Sequence, residues 1–433
     1  MSNAFSKEEI VAFEDILEGF NDALVLSRNV TVYNTDQTMM ERANNVIWRP
    51  QPYISQSFGG SFTLDMTGNF KDYTQLSVPS TIGFNRSVPW IMSAVELRDA
   101  LQEQRLGESA KQKLASDINI QIMNVAAAQG TLVVIRTGSA TGFDDLAEAD
   151  ALMNEQGVQM FDRYAALSSR DYNNMASNLQ GATAAAVGIA QRSFAGNKSN
   201  IAYERAFVGM VANFETYKLD YANRIAAAGG SGDTINTTLA GGNNYVPQAT
   251  SVAATGEVSK VDNRFQTVTV SNTTGVVAGD CFTINGVNAV HHITKQSTGR
   301  LKTFRVISVP SATSLVISPP IISGLDGSDA SAQYQNVQVT PSAAANINYL
   351  NVAASAINPF WQKDALEILP GRFAVPSDAG TAVMRGTTDQ GIELVMQKFY
   401  DINTMKIKFR LDTLFGVVNK QPEMSGIILF NQT

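Results

Sequence analysis

The residue types that most often carry chemistry are scarce in this chain. It contains two histidines, His291 and His292, and a single cysteine, Cys281. Adjacent histidines point to opposite sides of an extended chain, and neither has a third His or a Cys at ligand spacing, so no metal site is expected. Strand-forming residues flank Cys281, which favours a small core side chain over a nucleophile.

Acid–base chemistry would therefore depend on pairs of carboxylates. The densest acidic clusters are Asp144 with Asp145 and Glu148 with Asp150, and both are typical of the solvated start of a helix. The sequence contains no G-x-S-x-G, G-x-G-x-x-G, Walker A or H-E-x-x-H run. These residues predict a protein that is not an enzyme and needs no cofactor.

Amino-acid composition limits which classes of protein function remain. Charged residues make up 16% of the 433 residues and the net charge is −7, so the whole chain shows no basic footprint for nucleic acid. A surface that is polar but weakly charged suits a protein that contacts copies of itself. The single cysteine and the absence of a signal-peptide pattern predict a protein of a reducing cytosol.

Two amphipathic helices are predicted in the first third of the chain. Residues 6–27 carry an acidic outer face with Glu14, Asp15 and Glu18, which is either solvated or a docking site for a basic helix. Residues 93–130 form the longer helix. The apolar residues on one face of that longer helix are Ala110, Leu114, Ile118, Ile122 and Val125.

An extended segment precedes the long helix. Residues 46–90 scatter aromatic side chains among Gly, Pro, Ser, Thr and Asn; those expected to contact a neighbouring subunit are Trp48, Phe58, Phe62 and Phe70. An extended arm of this length is difficult to pack within a compact domain. We therefore expect part of it to lie on another copy of the chain.

The second half of the chain changes character. Residues 245–341 show short alternating β segments separated by turns, which predict a Greek-key barrel or sandwich. Residues 341–356 are expected to return to helix before the α+β pattern resumes. One exposed loop of the β module, 289–302, is expected to reach neighbours or to be a solvated tip; it carries His291, His292, Lys295, Arg300 and Lys302.

One run of the β module resembles a known family. Residues 260–286 read KVDNRFQTVTVSNTTGVVAGDCFTING, which strongly resembles the insertion domain of the major coat proteins of short-tailed, Salmonella-type phages. Weaker matches lie at residues 351–365, at 96–99 and at 113–115. The resemblance implies an α+β, Hong Kong 97-like capsid fold with an inserted all-β Greek-key barrel. Its expected parts are an N-terminal arm (1–45), an extended loop (46–90), a spine helix with the peripheral domain (91–136), a first axial part (137–244), the inserted barrel (245–341) and a second axial and peripheral part (342–433).

The resemblance also implies a function. Such a protein is a major capsid protein that forms pentamers and hexamers of an icosahedral shell around double-stranded DNA. It would need a separate scaffolding protein, recruited through Glu14, Asp15 and Glu18, and a portal protein, and it would assemble in the host bacterial cytoplasm without a membrane or cofactor. In relatives the loop before the V-D-N-R-F run is charged and reaches a neighbouring capsomer. In this chain the corresponding loop, residues 250–260, carries only Glu257 and Lys260. Contacts through it to a neighbouring capsomer are therefore either not expected or expected to be mostly uncharged.

A surface or glycan-binding β-module protein is the alternative from another class. The Asn- and Thr-rich strands suggest it. The absence of a signal-peptide pattern and the presence of only three tryptophans argue against it.

Overall fold

The computed structural model describes residues 5, 7–33, 46–51, 65, 67, 70, 72–93, 100–179, 208–230, 243–373 and 381–432. Contacts divide the chain into two compact units. Unit 1 consists of Met1–Trp48, Pro79–Val125 and Leu366–Val418, and unit 2 of Arg49–Val78, Ala126–Ala365 and Asn419–Thr433.

The described residues form five α-helices, three short 3₁₀ turns and twenty-three strands. The helices are α1 (Lys7–Ala23), α2 (Ala100–Gln129), α3 (Phe143–Gln156), α4 (Ser169–Leu179) and α5 (Asp329–Tyr334), and the 3₁₀ turns are Leu26–Asn29, Lys363–Ala365 and Pro422–Met424. The strands are β1 (Thr31–Val32), β2 (Val46–Pro50), β3 (Ser77–Thr81), β4 (Phe84–Ser93), β5 (Leu132–Ile135), β6 (Arg163–Ser168), β7 (Met210–Val211), β8 (Phe214–Leu219), β9 (Arg224–Ile225), β10 (Thr250–Val252), β11 (Val258–Lys260), β12 (Gln266–Thr269), β13 (Cys281–Val290), β14 (Ser297–Ser311), β15 (Ser314–Ser318), β16 (Ile347–Tyr349), β17 (Ser355–Ala356), β18 (Asn358–Gln362), β19 (Leu366–Pro370), β20 (Ala382–Thr387), β21 (Glu393–Asp401), β22 (Lys406–Asn419) and β23 (Ser425–Leu429). No described helix is both long and apolar enough to cross a bilayer.

Unit 1 is built on a sheet with the strand order β1-β19-β22-β21-β20, to which β4 adds by pairing with β22. Helix α1 covers one face of this sheet. A Cβ atom on Gly386 of β20 would lie 2.6 Å from the end of the Leu17 side chain of α1, so the helix packs closely on this strand. The helix predicted at 6–27 is present as Lys7–Ala23. Phe13 and Phe20 of its predicted apolar spacing are buried, as is Ile16, whereas Ile10 of the same spacing is 41% exposed.

The long helix is also confirmed, as α2. Residues 94–99, which include its expected start, lie outside the described residues. Leu114, Ile118 and Ile122 are fully buried on the face that the spacing predicted. The helix ends before Gly130, whose N–H donates to the carbonyl of Ala126. A Cβ atom at Gly130 would lie 3.1 Å from the backbone of Gly426, so the chain packs tightly at this stop.

Unit 2 contains a mixed sheet with the order β5-β23-β18-β6-β8-β7. Apolar residues of α3 and α4 pack on its inner face and form one core with Phe214 and Phe360, whose rings meet edge to face. The sequence patterns of residues 146–156 and 171–179 are typical of helices, and both helices are present as α3 and α4. The pattern of residues 206–217 is typical of a strand, and its described part contains β7 and the start of β8.

The inserted β region forms its own sheet within unit 2. The order β12-β15-β14-β13-β16 places the first strand beside the fourth, which is a Greek-key arrangement. Its separate apolar core includes Val268, Phe282, Phe304 and Ile317.

The prediction of a helix at residues 341–356 is wrong. Strand β16 pairs with β13 through Phe282 and Tyr349, and β17 pairs with β9. The alanine-rich segment has a local preference for helix, but strand pairing outweighs that preference. The sheet of the module therefore continues beyond residue 341.

Candidate functional site

The residues of the V-D-N-R-F run tie the start of the module to its surroundings. Arg264 pairs with Asp262 at 2.7 Å and donates from Nη1 to the carbonyl of Asn419 at 2.8 Å. The Asn263 amide accepts from the backbone N–H of Gln248 at 3.0 Å and donates back to that residue's carbonyl at 2.8 Å. These side chains make hydrogen bonds within the subunit, so the run has a structural role.

The T-T-G part of the run closes a tight turn. Gly275 has a φ of +81°, and a Cβ atom there would lie 2.6 Å from the carbonyl oxygen of Gly229. Only glycine satisfies both constraints. Asp280, five residues later, is fully buried and accepts a hydrogen bond from the Asn351 amide at 2.9 Å.

Strand β14 joins the module to the rest of unit 2 through buried polar side chains. Lys302 is 1% exposed and donates to the carboxylate of Glu423 and to Oε1 of Gln156, the latter at 3.0 Å. The Asn336 amide donates to the same Glu423 oxygen at 3.2 Å. We call Lys302, Glu423, Gln156, Asn336 and the adjacent His292 the junction cluster.

Neighbouring bonds extend this connection. The Thr303 hydroxyl donates to the carbonyl of Thr131 at 2.7 Å, and Arg305 donates from Nη1 to the carbonyl of Gly130 at 3.2 Å. Thr303 and Arg305 of one strand thus hold the module against the segment that begins where α2 ends.

The electrostatics of the junction cluster follow from burial. Burial alone would raise the pKa of Glu423, but the charge of Lys302 and hydrogen bonds from Lys302 and Asn336 lower it to about 2. Burial lowers the pKa of His292 to about 4, although Glu423, 3.5 Å away, opposes this shift. At neutral pH the carboxylate is therefore charged and the imidazole is neutral, so Lys302 is the cation that stabilises Glu423.

The expectation that residues 289–302 form one exposed loop is wrong for two of its members. Lys302 lies on β14 and is buried, and His292 is almost enclosed. A sequence signal for this existed: Lys302 shares strand parity with Phe304 and Val306, both core residues, so alternation places all three on one face. Sequence reasoning missed Glu423, Gln156 and Asn336 because they are far from Lys302 in the chain.

The other members of that loop are placed in three different ways. The His291 ring packs against Gly157, and its Nδ1 accepts from the backbone N–H of Thr294 at 3.2 Å. Lys295 donates to the carbonyls of Gln333 and Gln335, and burial lowers its pKa to about 8. Arg300 remains half exposed and pairs with Glu155 at 3.2 Å.

The second predicted loop is a hairpin. Strands β10 and β11 pair antiparallel, with Val252 opposite Val258 and Thr250 opposite Lys260. Both valines are exposed, as are Glu257 and Lys260. The hairpin therefore presents a mostly uncharged surface, as its sequence predicts.

The residues expected to contact neighbours near the N-terminus are partly described. Glu14, Asp15 and Glu18 are exposed on α1. Trp48 lies half-buried on β2 and Phe70 is 84% exposed. Phe58 and Phe62 lie outside the described residues.

The remaining candidates for chemistry were a metal site and the single thiol. Among the residues that the structure describes, no group of three or more His, Cys, Asp or Glu side chains is placed to hold a metal ion. Cys281 is fully buried, and burial raises the pKa of its thiol.

Comparison with known proteins assigns the chain to a family. Residues 1–431 match the family described as P22 coat protein, gene protein 5. The chain belongs to this family. It is thus a structural major capsid protein of a tailed phage with the Hong Kong 97-like fold, it forms an icosahedral shell and is part of the virion capsid, and it is not an enzyme. Family membership confirms the resemblance seen in residues 260–286 and leaves the glycan-binding alternative without support.

Several solved structures are similar. The head of Helicobacter pylori bacteriophage KHP40 is 11% identical and covers 94% of this chain and 88% of that chain, with a TM-score of 0.42. The capsid of the cyanophage P-SCSP1u is 11% identical and covers 93% and 86%, with a TM-score of 0.41. The CUS-3 coat protein I-domain is 39% identical over 28% of this chain and 99% of that chain, with a TM-score of 0.22.

Proposed function

We propose that this coat protein assembles as pentamers and hexamers around double-stranded DNA, in the host bacterial cytoplasm, with a separate scaffolding protein and a portal protein. The net charge of −7 supports enclosure without sequence-specific binding. A basic inner wall would bind packaged DNA through counterion release and oppose its packing and ejection.

The acidic face of α1 carries the proposal for the scaffolding protein. The helix buries Phe13 and Phe20 in unit 1 and leaves Glu14, Asp15 and Glu18 in solvent. A folded subunit therefore offers a preformed anionic helix face. A basic amphipathic helix of a scaffolding protein fits such a face.

The test replaces these three carboxylates by alanine and measures scaffold content in purified precursor shells. The triple variant should incorporate less scaffolding protein, and salt in the range of tens to hundreds of millimolar should weaken the wild-type interaction, because the contact is exposed. The matched control removes three exposed carboxylates that do not share one helix face, at Glu108, Asp144 and Asp220. Normal scaffold content in the α1 variant would rule out the arm as the docking site.

Two other surfaces are proposed to join subunits. The exposed hairpin with Glu257 and Lys260 and the half-exposed Arg300 would contact a neighbouring capsomer, and the aromatic extended loop with Trp48 and Phe70 would lie on a neighbouring subunit. Deletion of residues 59–68 should leave folded monomers that make no shells, as seen by size-exclusion chromatography and negative-stain microscopy. Normal shells from this variant would contradict the role of the loop.

A further inference from the structure

Two short segments of unit 2 flank residues 52–71 of the extended loop. We call Gln51, where the chain enters this part of the loop, and residues 72–76, where it returns, the loop root. The backbone N–H of Gln51 donates to the carbonyl of Leu76 at 2.9 Å, and the Gln75 amide donates to the carbonyl of Gln51 at 2.8 Å. The two ends of the loop are therefore held side by side, so their common direction decides how the loop leaves the subunit.

Helix α5 of the inserted module holds the returning segment. Asp329 and Gln333 are four residues apart and share one face of the helix, and Tyr334 follows them. The Gln333 amide donates to the carbonyl of Asp72 at 2.7 Å, and the Tyr334 hydroxyl donates to the carbonyl of Thr74 at 2.9 Å. The backbone N–H of Asp72 in turn donates to Oδ2 of Asp329 at 3.3 Å. We call Asp329, Gln333 and Tyr334 the loop latch. Because these three bonds go to backbone groups, they fix the course of the chain.

The latch is itself anchored in the module. Lys295 donates from Nζ to the carbonyls of Gln333 and Gln335, at 2.8 and 3.2 Å. The Asn336 amide is buried and donates to the carbonyl of Pro320 at 2.8 Å. Both contacts lie at the end of α5, so the helix cannot shift along the loop root without breaking them. The direction of the loop root is thus fixed relative to a folded β module.

Packing beside the latch is incomplete. A cavity of about 410 Å³ is lined by Gln51 and Leu76 of the loop root and by Gln333 and Tyr334 of the latch. Side chains across such a space make few van der Waals contacts with one another. The hydrogen bonds of the latch therefore carry more of the connection than they would in a close-packed interface.

We propose that Asp329, Gln333 and Tyr334 are positioning residues for shell assembly, because they set the direction in which the extended loop leaves its subunit. Phe70 lies two residues before Asp72 and is 84% exposed, so a change of direction at the latch moves this ring relative to the neighbour that it meets. A loop held in its docking direction before association loses less conformational entropy on binding. The inference rests on the proposed contact of the extended loop with a neighbouring subunit.

The test uses the full-length chain with Gln333→Leu and Tyr334→Phe, which remove two donors of the latch and keep the bulk of both side chains. Circular dichroism should show a folded subunit. Hydrogen exchange at the backbone N–H groups of Gln51 and Asp72 should become about five- to tenfold faster, because the loop root opens more often. Assembly should require about tenfold more protein, and negative-stain microscopy should show shells of mixed diameter.

The matched control is Ser331→Ala with Gln335→Leu. These substitutions remove two side-chain hydrogen bonds of the same region, to Asp326 and to the carbonyl of Val337, and none to the loop root. The control should assemble like the wild type. Equal assembly defects in both variants would overturn the proposal, because α5 would then act only through the stability of the module. Uniform shells from the latch variant at the wild-type protein concentration would overturn it as well.

The deletion of residues 59–68 distinguishes failure of this inference from failure of the proposed loop contact. If the deletion variant makes no shells and the latch variant assembles normally, the loop contacts a neighbour but α5 does not position it. Normal shells from the deletion variant would remove the loop contact itself, and the role of the latch with it.

Discussion

Two lysines illustrate how differently the two units of this coat protein use charge. Lys302 in unit 2 is 1% exposed, and its ammonium group bonds to Glu423 and Gln156. Lys408 in unit 1 is 50% exposed and lies beside Asp401. The first has lost its hydration, so its partners must be present for the subunit to fold. The second keeps its hydration and contributes little to folding. The charge of Lys302 therefore stabilises the fold of the subunit, while the charge of Lys408 is accessible to other molecules.

The largest expected effect comes from breaking the buried pair. Glu423→Leu leaves Lys302 charged and without its carboxylate, which should lower the free energy of unfolding by about 3–5 kcal/mol. Urea unfolding of the full chain measures this. Lys302→Met combined with Glu423→Leu removes both charges and should recover most of the loss. A double variant as unstable as the single one would show that the pair is not the source of stability.

Acid should weaken the same cluster without mutation. The pKa of His292 is about 4 in the folded chain against 6.5 for a free side chain, so the unfolded state binds more protons between these values. Stability from neutral His292 is complete above about pH 6.5 and falls by about 3 kcal/mol as the pH drops through 4. Glu423 adds a second loss between pH 4.5 and about 2, because its pKa is lowered. His292→Gln should flatten the first part of the profile, and an unchanged slope between pH 6.5 and 4 would contradict this assignment.

The boundary of the inserted module predicts a smaller effect. A fragment of residues 245–341 is expected from the sequence to fold alone with marginal stability. Since Ile347 of β16 is buried opposite Ile284, a fragment that continues to residue 351 should be more stable by about 1.5–3 kcal/mol. The stability of the two fragments can be compared by their thermal midpoints and by the dispersion of their amide proton signals. Equal stability would mean that β16 contributes nothing to the module.

The smallest expected effect on folding comes from the exposed carboxylates of α1. Glu14→Ala with Glu18→Ala should change the free energy of unfolding by less than about 0.5 kcal/mol, because both side chains are exposed. The same substitutions should reduce assembly. A loss of stability as large as that of Glu423→Leu would remove the contrast between the two units.

The sequence alone determined those parts of the protein that depend on local periodicity and on specific motifs. The four-residue spacing of Leu114, Ile118 and Ile122 predicts the long helix, and the alternation around Phe282 and Phe304 predicts the β module. Residues 260–286 carry the resemblance to the coat-protein family, which the match over residues 1–431 confirms.

Tertiary structure alone decided the contacts between residues far apart in the chain. Lys302 and Glu423 are separated by 121 positions, and no local pattern relates a cation in an alternating strand to a carboxylate in a 3₁₀ turn. Residues 341–356 have helical propensity but become strands, because pairing of Tyr349 with Phe282 outweighs a preference of a few tenths of a kcal/mol per residue. Propensity and periodicity act within one segment, whereas the burial of a charge or the pairing of an edge strand depends on what the rest of the chain places beside it.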